Sequence, residues 1–273
     1  MGRFDRSANP LPGQRKKLNT SINNDFVGPI RMKNWKTSGG TAITRVLDGR
    51  SNVFLVTKEY HHILFDSCSK NYRQKLLENL QKLNVPTLDM LVLSHTHFDH
   101  AGNAASIREI YDAKVLVHEL EAGYLKNGTN PPISGTFFFT RLLISTLGNT
   151  FLSRLNYTPC EADFRVRHSG YIPVPGLDIT LLHTPGHSLG MISMIIDDEI
   201  ALVGDTLFGI FPGSVFPPFA EDISRLILSW NILLHTGCSW FFPAHGRPIS
   251  RELLERCCRQ RTKKLMSSLR VMT

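Results

Sequence analysis

Cysteine is scarce in this chain: Cys68, Cys160, Cys238, Cys257 and Cys258 are the five in 273 residues, with no CxxC spacing among them. The odd count fits reduced thiols in a cytoplasm rather than a disulfide framework. No secretory leader is expected, because the opening MGRFDRSANPLPGQRKK has no apolar stretch. The myristoylation pattern fails at Arg6, where Ser or Thr is required. Long hydrophobic runs are absent as well. The most apolar stretch, GTFFFTRLLISTLGNTFL, is interrupted by Arg141, Gly148 and Asn149 and is too short to span a bilayer. No repeat of fixed period is present. A cytoplasmic protein without a membrane span is the expectation.

Acidic charge is low relative to basic, for a net of +8, but the imbalance is confined to the ends. Residues 1–33 hold seven Lys/Arg against two Asp, and residues 247–273 hold eight against two Glu. The body between them carries more acids than bases. Basic ends can bind nucleic acid or anionic lipid, yet solvated tails are the commoner outcome. With 42% hydrophobic residues the chain can bury a sizeable core, so metal need not hold the fold together.

Residues 1–28 are polar and lack apolar periodicity, which predicts a flexible basic tail ahead of one domain over 29–273. Strands are expected at TAITRVL, SNVFLV, HHILFD, 89–93, KVLVHE, LDITLLH, MISMII, IALVG and SWFF. Helical spacing marks 71–84, 101–112, 223–234 and the chain from about Ser250, with Asp222 as a cap. A helical insert is expected at about 119–160, where Phe139, Leu143, Leu147 and Phe151 recur every four residues. Two strand-rich halves, each ending in helix, suit two packed sheets with helices outside.

Four strand ends carry potential ligands: His95, His97, Asp99 and His100 in SHTHFDH, His187 in TPGHSLG, Asp205 in LVGDTLF, and His245 in FFPAHG. Five His and two Asp without Cys form an imidazole and carboxylate set, which suits Zn²⁺ or another borderline first-row metal. His95 and His97 are two apart, so in an extended segment their rings project the same way. Asp99 and His100 follow where the chain leaves the strand, so one loop could feed two metals. Seven ligands suit two sites if one carboxylate bridges them.

Taken in order, Asp66 in LFDSC, then SHTHFDH, TPGHS, GDTLF and PAHG resemble the metallo-β-lactamase superfamily over roughly residues 38–250. The resemblance implies an αββα four-layer sandwich with metals at one edge. It places His95, His97 and His187 at a first metal, Asp99, His100 and His245 at a second, and Asp205 as the bridge. Asp66, and with it His183, would stand behind the ligands and orient an imidazole. The implied cofactors are two Zn²⁺ ions, with iron or manganese as substitutes.

Two metals about 3.5–4 Å apart can generate hydroxide at neutral pH, and Asp99 is the group expected to accept and return the proton. That chemistry is hydrolysis, and by itself it does not choose between carbonyl and phosphoryl substrates. Within the resemblance, THFDHAGN and GDTLF are similar to glyoxalase II, although only 28 residues follow His245, fewer than its helical glutathione-binding domain needs. Phe208 stands where quorum-quenching lactonases carry a tyrosine. A small ester, thioester or lactone is the expected substrate, with Phe137, Phe138, Phe139 and Phe208 lining an apolar pocket. The alternatives are a phosphodiesterase or nuclease of the same superfamily and an iron-dependent persulfide dioxygenase. A small molecule is the expected partner and nucleic acid is not, while a homodimer fits the apolar insert equally well.

Overall fold

Strands buried on both faces should read as nearly continuous apolar runs, and here they do. The computed structural model describes residues 32–48, 51–172 and 174–271. The tail expected over residues 1–28 lies outside them. The chain begins with β1 (Asn34–Lys36), β2 (Ala42–Leu47), β3 (Val53–Lys58), β4 (His61–Phe65), α1 (Arg73–Lys82) and β5 (Met90–Val92). It continues through α2 (Phe98–Ala101), α3 (Ala104–Tyr111), β6 (Lys114–His118), α4 (Glu119–Asn127), α5 (Phe138–Ser153), β7 (Phe164–Val166) and β8 (Gly170–Tyr171). Then come β9 (Ile179–His183), β10 (Ile192–Ile196), β11 (Ile200–Gly209), α6 (Ile223–Leu234), β12 (Trp240–Gly246), β13 (Ile249–Ser250) and α7 (Arg251–Val271).

One sheet has the order β1-β2-β3-β4-β5-β6-β7, the other β13-β12-β11-β10-β9-β8. The first is antiparallel from β1 to β4 and parallel from β4 to β7. In the second, β11 and β12 are parallel and the other pairs antiparallel. Alternation along each strand feeds two different apolar layers. Phe54, Phe65, Val92, Met194, Leu202 and Phe242 meet between the sheets. Leu55, Leu64, Leu91 and Val115 point outward under helices α1, α3 and α4 with Leu76, Leu80 and Ile107. On the far side, Val203 and Phe241 pack under α6 and α7 with Trp230 and Leu254. The result is the expected αββα sandwich. Each fully buried Leu, Ile or Phe contributes roughly 1.5–3 kcal/mol.

Several elements differ from the sequence expectation. The helix expected over 101–112 is α3, which begins at Ala104, and the short α2 precedes it within the histidine motif, with Gly102 and Asn103 between them. Strand β11 does not stop at Gly204 but runs on to Gly209, and its register against β12 shifts twice around Asp205. Such irregularities re-aim a side chain within a strand. The segment 119–160 contains α4 and α5, but Phe138, Phe139 and Leu142 face solvent. The side chains of Leu143, Leu147 and Phe151 lie outside the described residues. No helix among the described residues is long and apolar enough to cross a membrane.

Candidate metal centre

The two sheets are stitched together at one edge, where the ligand-bearing loops emerge. The Ile192 amide on β10 donates to the Ser94 carbonyl at 2.9 Å, and the Asn52 amide donates to Ala244 at 2.6 Å. The Asn52 side chain also donates to the carbonyls of Pro243 and Gly246, holding the end of β12 that bears His245. Gly186 precedes His187 at φ +142, and a Cβ there would collide with the backbone of Leu226. That glycine lets the His187 loop lie against the start of α6, where the Glu221 and Asp222 amides donate to the carbonyls of His187 and Gly186.

These loops, with strands β11 and β12, bring together the seven residues singled out by the sequence. His95, His97 and His187 form one group, His95, His100 and Asp205 a second, and Asp99, His100 and His245 a third, with ligand atoms inside each group within 4.8 Å of one another. Three of the imidazoles are oriented from behind. The Asp66 carboxylate accepts from the Ser94 amide at 2.7 Å, the Ser94 hydroxyl at 2.9 Å and His100 Nδ1 at 2.9 Å. With its proton given to Asp66, the Ser94 hydroxyl can accept from His95 Nδ1 at 3.0 Å. His187 Nδ1 donates to the Phe219 carbonyl at 2.9 Å. Each bond leaves the Nε2 lone pair of its ring aimed inward, the usual arrangement behind a metal-bound imidazole.

His95 Nε2 lies 2.8 Å from His97 Nδ1, which lies 3.1 Å from His187 Nε2. Burial holds all three rings neutral: it drives His97 and His187 down to about 4, and burial with neighbouring imidazoles takes His95 well below its ordinary value. Three neutral nitrogens converging at such distances are a poor hydrogen-bonding arrangement and a good cation site. Asp205 sits between the groups, with Oδ1 at 3.5 Å from His100 Nε2 and Oδ2 at 3.4 Å from both His187 and His245 Nε2. Burial raises the Asp205 carboxyl, but His245, His100 and His187 together pull it well below the carboxylate range. Burial likewise lowers His100, and Asp205 with Asp66 outweighs it. Among the described residues, two atoms that face the centre, His100 Nε2 and Asp205 Oδ1, are buried without a hydrogen bond. The donor set and these orphaned atoms fit divalent metal.

Asp99 is half-buried, 4.0 Å from His100 and 3.7 Å from His245, and its carbonyl accepts from Ser51 at 2.6 Å. The remaining expected residues fall at different depths. Phe208 stacks on His245 with ring centroids 4.8 Å apart. Phe137 packs edge-on against Phe211 and Phe216. Phe138 and Phe139 are 74% and 81% exposed and touch each other edge to face. Among the described residues, His183 makes no hydrogen bond to a ligand ring. Its Nε2 meets the Leu189 carbonyl at 2.8 Å and its ring stacks on His118, so it braces the loop beyond His187. Sequence reasoning missed Ser51, Asn52, Glu121 and Tyr157. Ser94 lay inside the quoted motif, whereas nothing in a single sequence marks the other four.

A family model described as the metallo-beta-lactamase superfamily matches residues 46–245. A probable metallo-hydrolase of Methanocaldococcus jannaschii is 26% identical over 200 residues, covering 72% of this chain and 87% of that protein. A hydroxyacylglutathione hydrolase of Rhodopseudomonas palustris is 30% identical over 157 residues, 55% of this chain but only 48% of that enzyme. Among solved structures, an archaeal metallo-beta-lactamase superfamily protein from Sulfolobus tokodaii is 22% identical, with 77% of this chain and 79% of that one covered and a TM-score of 0.55. At that identity the likeness shows the fold alone. The matched span holds all seven clustered residues and the Asp66 brace, and the chain belongs to the metallo-β-lactamase superfamily of metallo-hydrolases.

Proposed function

We propose that this chain is a two-metal hydrolase, with zinc as its metal, that cleaves a small ester, thioester or lactone. The observation that carries this is the position of Asp205, whose two oxygens reach the imidazoles of both halves of the centre within 3.5 Å. His95, His97 and His187 would hold one metal and Asp99, His100 and His245 the other. A bound metal pair supplies hydroxide near neutral pH and polarises the acceptor oxygen.

The protein's own groups supply the rest. Asp99 is close to the centre yet partly open to solvent, so it can take a proton from the nucleophile and pass it to the leaving group. Phe208 lies against His245 and has no proton to donate, so a leaving alkoxide gains no hydrogen bond from it. A thiolate needs no such donor, and thioesters are therefore favoured within the class. The match to a hydroxyacylglutathione hydrolase points the same way.

A substrate panel tests this. The purified protein should hydrolyse small aryl and alkyl thioesters faster than the matching oxygen esters and lactones. Turnover of phosphodiesters alone, falling steeply with added salt as phosphate contacts do, would contradict it.

A further inference from the structure

Glu121 lies in the first turn of α4, outside the metal centre, and is 1% exposed. Its Oε2 accepts the Thr96 amide at 3.0 Å and the Thr96 hydroxyl at 2.5 Å. Its Oε1 accepts the Gly190 amide at 3.2 Å and the Ser188 hydroxyl. A carboxylate is costly to bury unless donors surround it, and four do here. Thr96 stands between His95 and His97, and Ser188 directly follows His187. One side chain thus spans both loops that deliver the three converging imidazoles.

The surroundings reinforce this span. The Thr96 carbonyl accepts the Tyr157 hydroxyl at 2.8 Å, so Thr96 is fixed through its amide, side chain and carbonyl together. A side chain at Gly190 would collide with Glu121 Cγ, so the loop carries glycine where the carboxyl passes. The other half of the centre has braces that Glu121 does not touch: Asp66 on His100, although Asp66 also reaches His95 through Ser94, Ser51 on Asp99 and Asn52 on the end of β12 that bears His245.

We propose that Glu121 is a positioning residue for the His95, His97 and His187 half of the centre, setting the separation of the two loops so that their nitrogens converge before a cation arrives. This rests on the two-metal assignment above and adds which residue presets one half. It depends on both oxygens being acceptors. A glutamine of the same shape must turn its NH₂ toward either the Thr96 amide or the Gly190 amide. Neither backbone N–H can accept, so one loop loses its amide bond and keeps only a hydroxyl contact in which the hydroxyl now accepts.

The test is a Zn²⁺ titration of metal-free, full-length protein against a chromophoric chelator, for wild type and Glu121→Gln, with the Tm of each metal-free protein measured alongside. Glu121→Gln should weaken one of the two binding steps by about 10–100-fold, the usual effect of losing a group behind a ligand, and leave the other step unchanged. Thr96→Val and Ser188→Ala each delete one hydroxyl donor, from opposite loops, with little change of shape. Both should weaken that same step by a smaller factor, which keeps the test decisive should Glu121→Gln fail to fold. Wild-type uptake of two Zn²⁺ with identical steps in the variants would overturn this inference alone. So would equal losses at both steps that track a fall in Tm, which would make Glu121 a structural residue. A wild-type protein that takes up no Zn²⁺ would overturn the two-metal assignment as well.

Discussion

The edge that carries the histidines and the helix α5 are both rich in residues of one chemical kind, and the protein treats them oppositely. At the edge, His95, His97, His100, His187 and Asp205 are buried, and fixed groups such as Asp66 and the Phe219 carbonyl hold three of the imidazoles from behind. On α5, apolar Phe138, Phe139 and Leu142 are exposed. Polar groups go inside only where hydrogen bonds or a cation offset their desolvation. Apolar groups stay outside where nothing covers them, at little cost to the fold. The contrast separates a rigid site that determines chemistry from a rim that borders it.

The sharpest way to break that contrast is at its centre. Asp205→Ala removes the carboxylate shared by both halves and leaves His100, His187 and His245 without their common partner. Turnover should fall by about a thousandfold or more, roughly 4 kcal/mol of lost transition-state stabilisation, while circular dichroism stays native. Ordinary kcat/KM in that variant would mean Asp205 is not shared. One step outward, Phe208→Ala removes the ring stacked on His245. KM should rise with kcat nearly held, by about 1–3 kcal/mol of binding, the scale on which apolar pockets discriminate. A loss in kcat alone would instead give Phe208 a role in orienting His245.

Between centre and rim lies His118, whose Nδ1 accepts the Leu120 amide at 3.2 Å at the start of α4. Burial, with the neighbouring His183 ring, lowers it from the usual 6.5 to about 4. A base with a depressed folded pKa binds fewer protons folded than unfolded. Its contribution is therefore complete above pH 6.5 and is lost as pH falls toward 4. His118→Asn keeps an acceptor for the cap and should flatten the decline of stability across that window, as read by denaturant midpoints. An unchanged slope would show that other groups set it. The smallest effect belongs to the rim. Phe138→Ala should change stability by no more than about 0.5 kcal/mol, as exposed substitutions do, with KM nearly constant. A KM that rises only for long-chain substrates would make this rim part of the acyl path.

The same contrast explains what a single sequence can reveal. The ligands were legible because each follows an apolar run, as His95 follows Met90–Val92, although Asp205 and His245 prove to lie within β11 and β12. The sandwich was legible because β3, β4 and β10 are apolar on both faces. Strands β1, β7, β8 and β13 have two or three residues each, too few for a period, and exist only through their partners. The four-residue spacing on α5 gave the right helix but could not say that Phe139 faces water, since burial depends on what packs against it. Glu121 went unmarked for the same reason, seen from the opposite side. An acid in the first turn of a helix ordinarily interacts with solvent and the helix dipole, and only the tertiary structure brings four donors to it.

The number and identity of metals per chain test the central claim most directly. Mass spectrometry of the native protein, with metal quantified against chain concentration, should find close to two metals per chain, mainly zinc. The five imidazoles and two carboxylates would then divide into two sites that share Asp205. One tightly held iron per chain, with no second site that can be filled, would contradict the two-metal hydrolase and favour the dioxygenase chemistry instead.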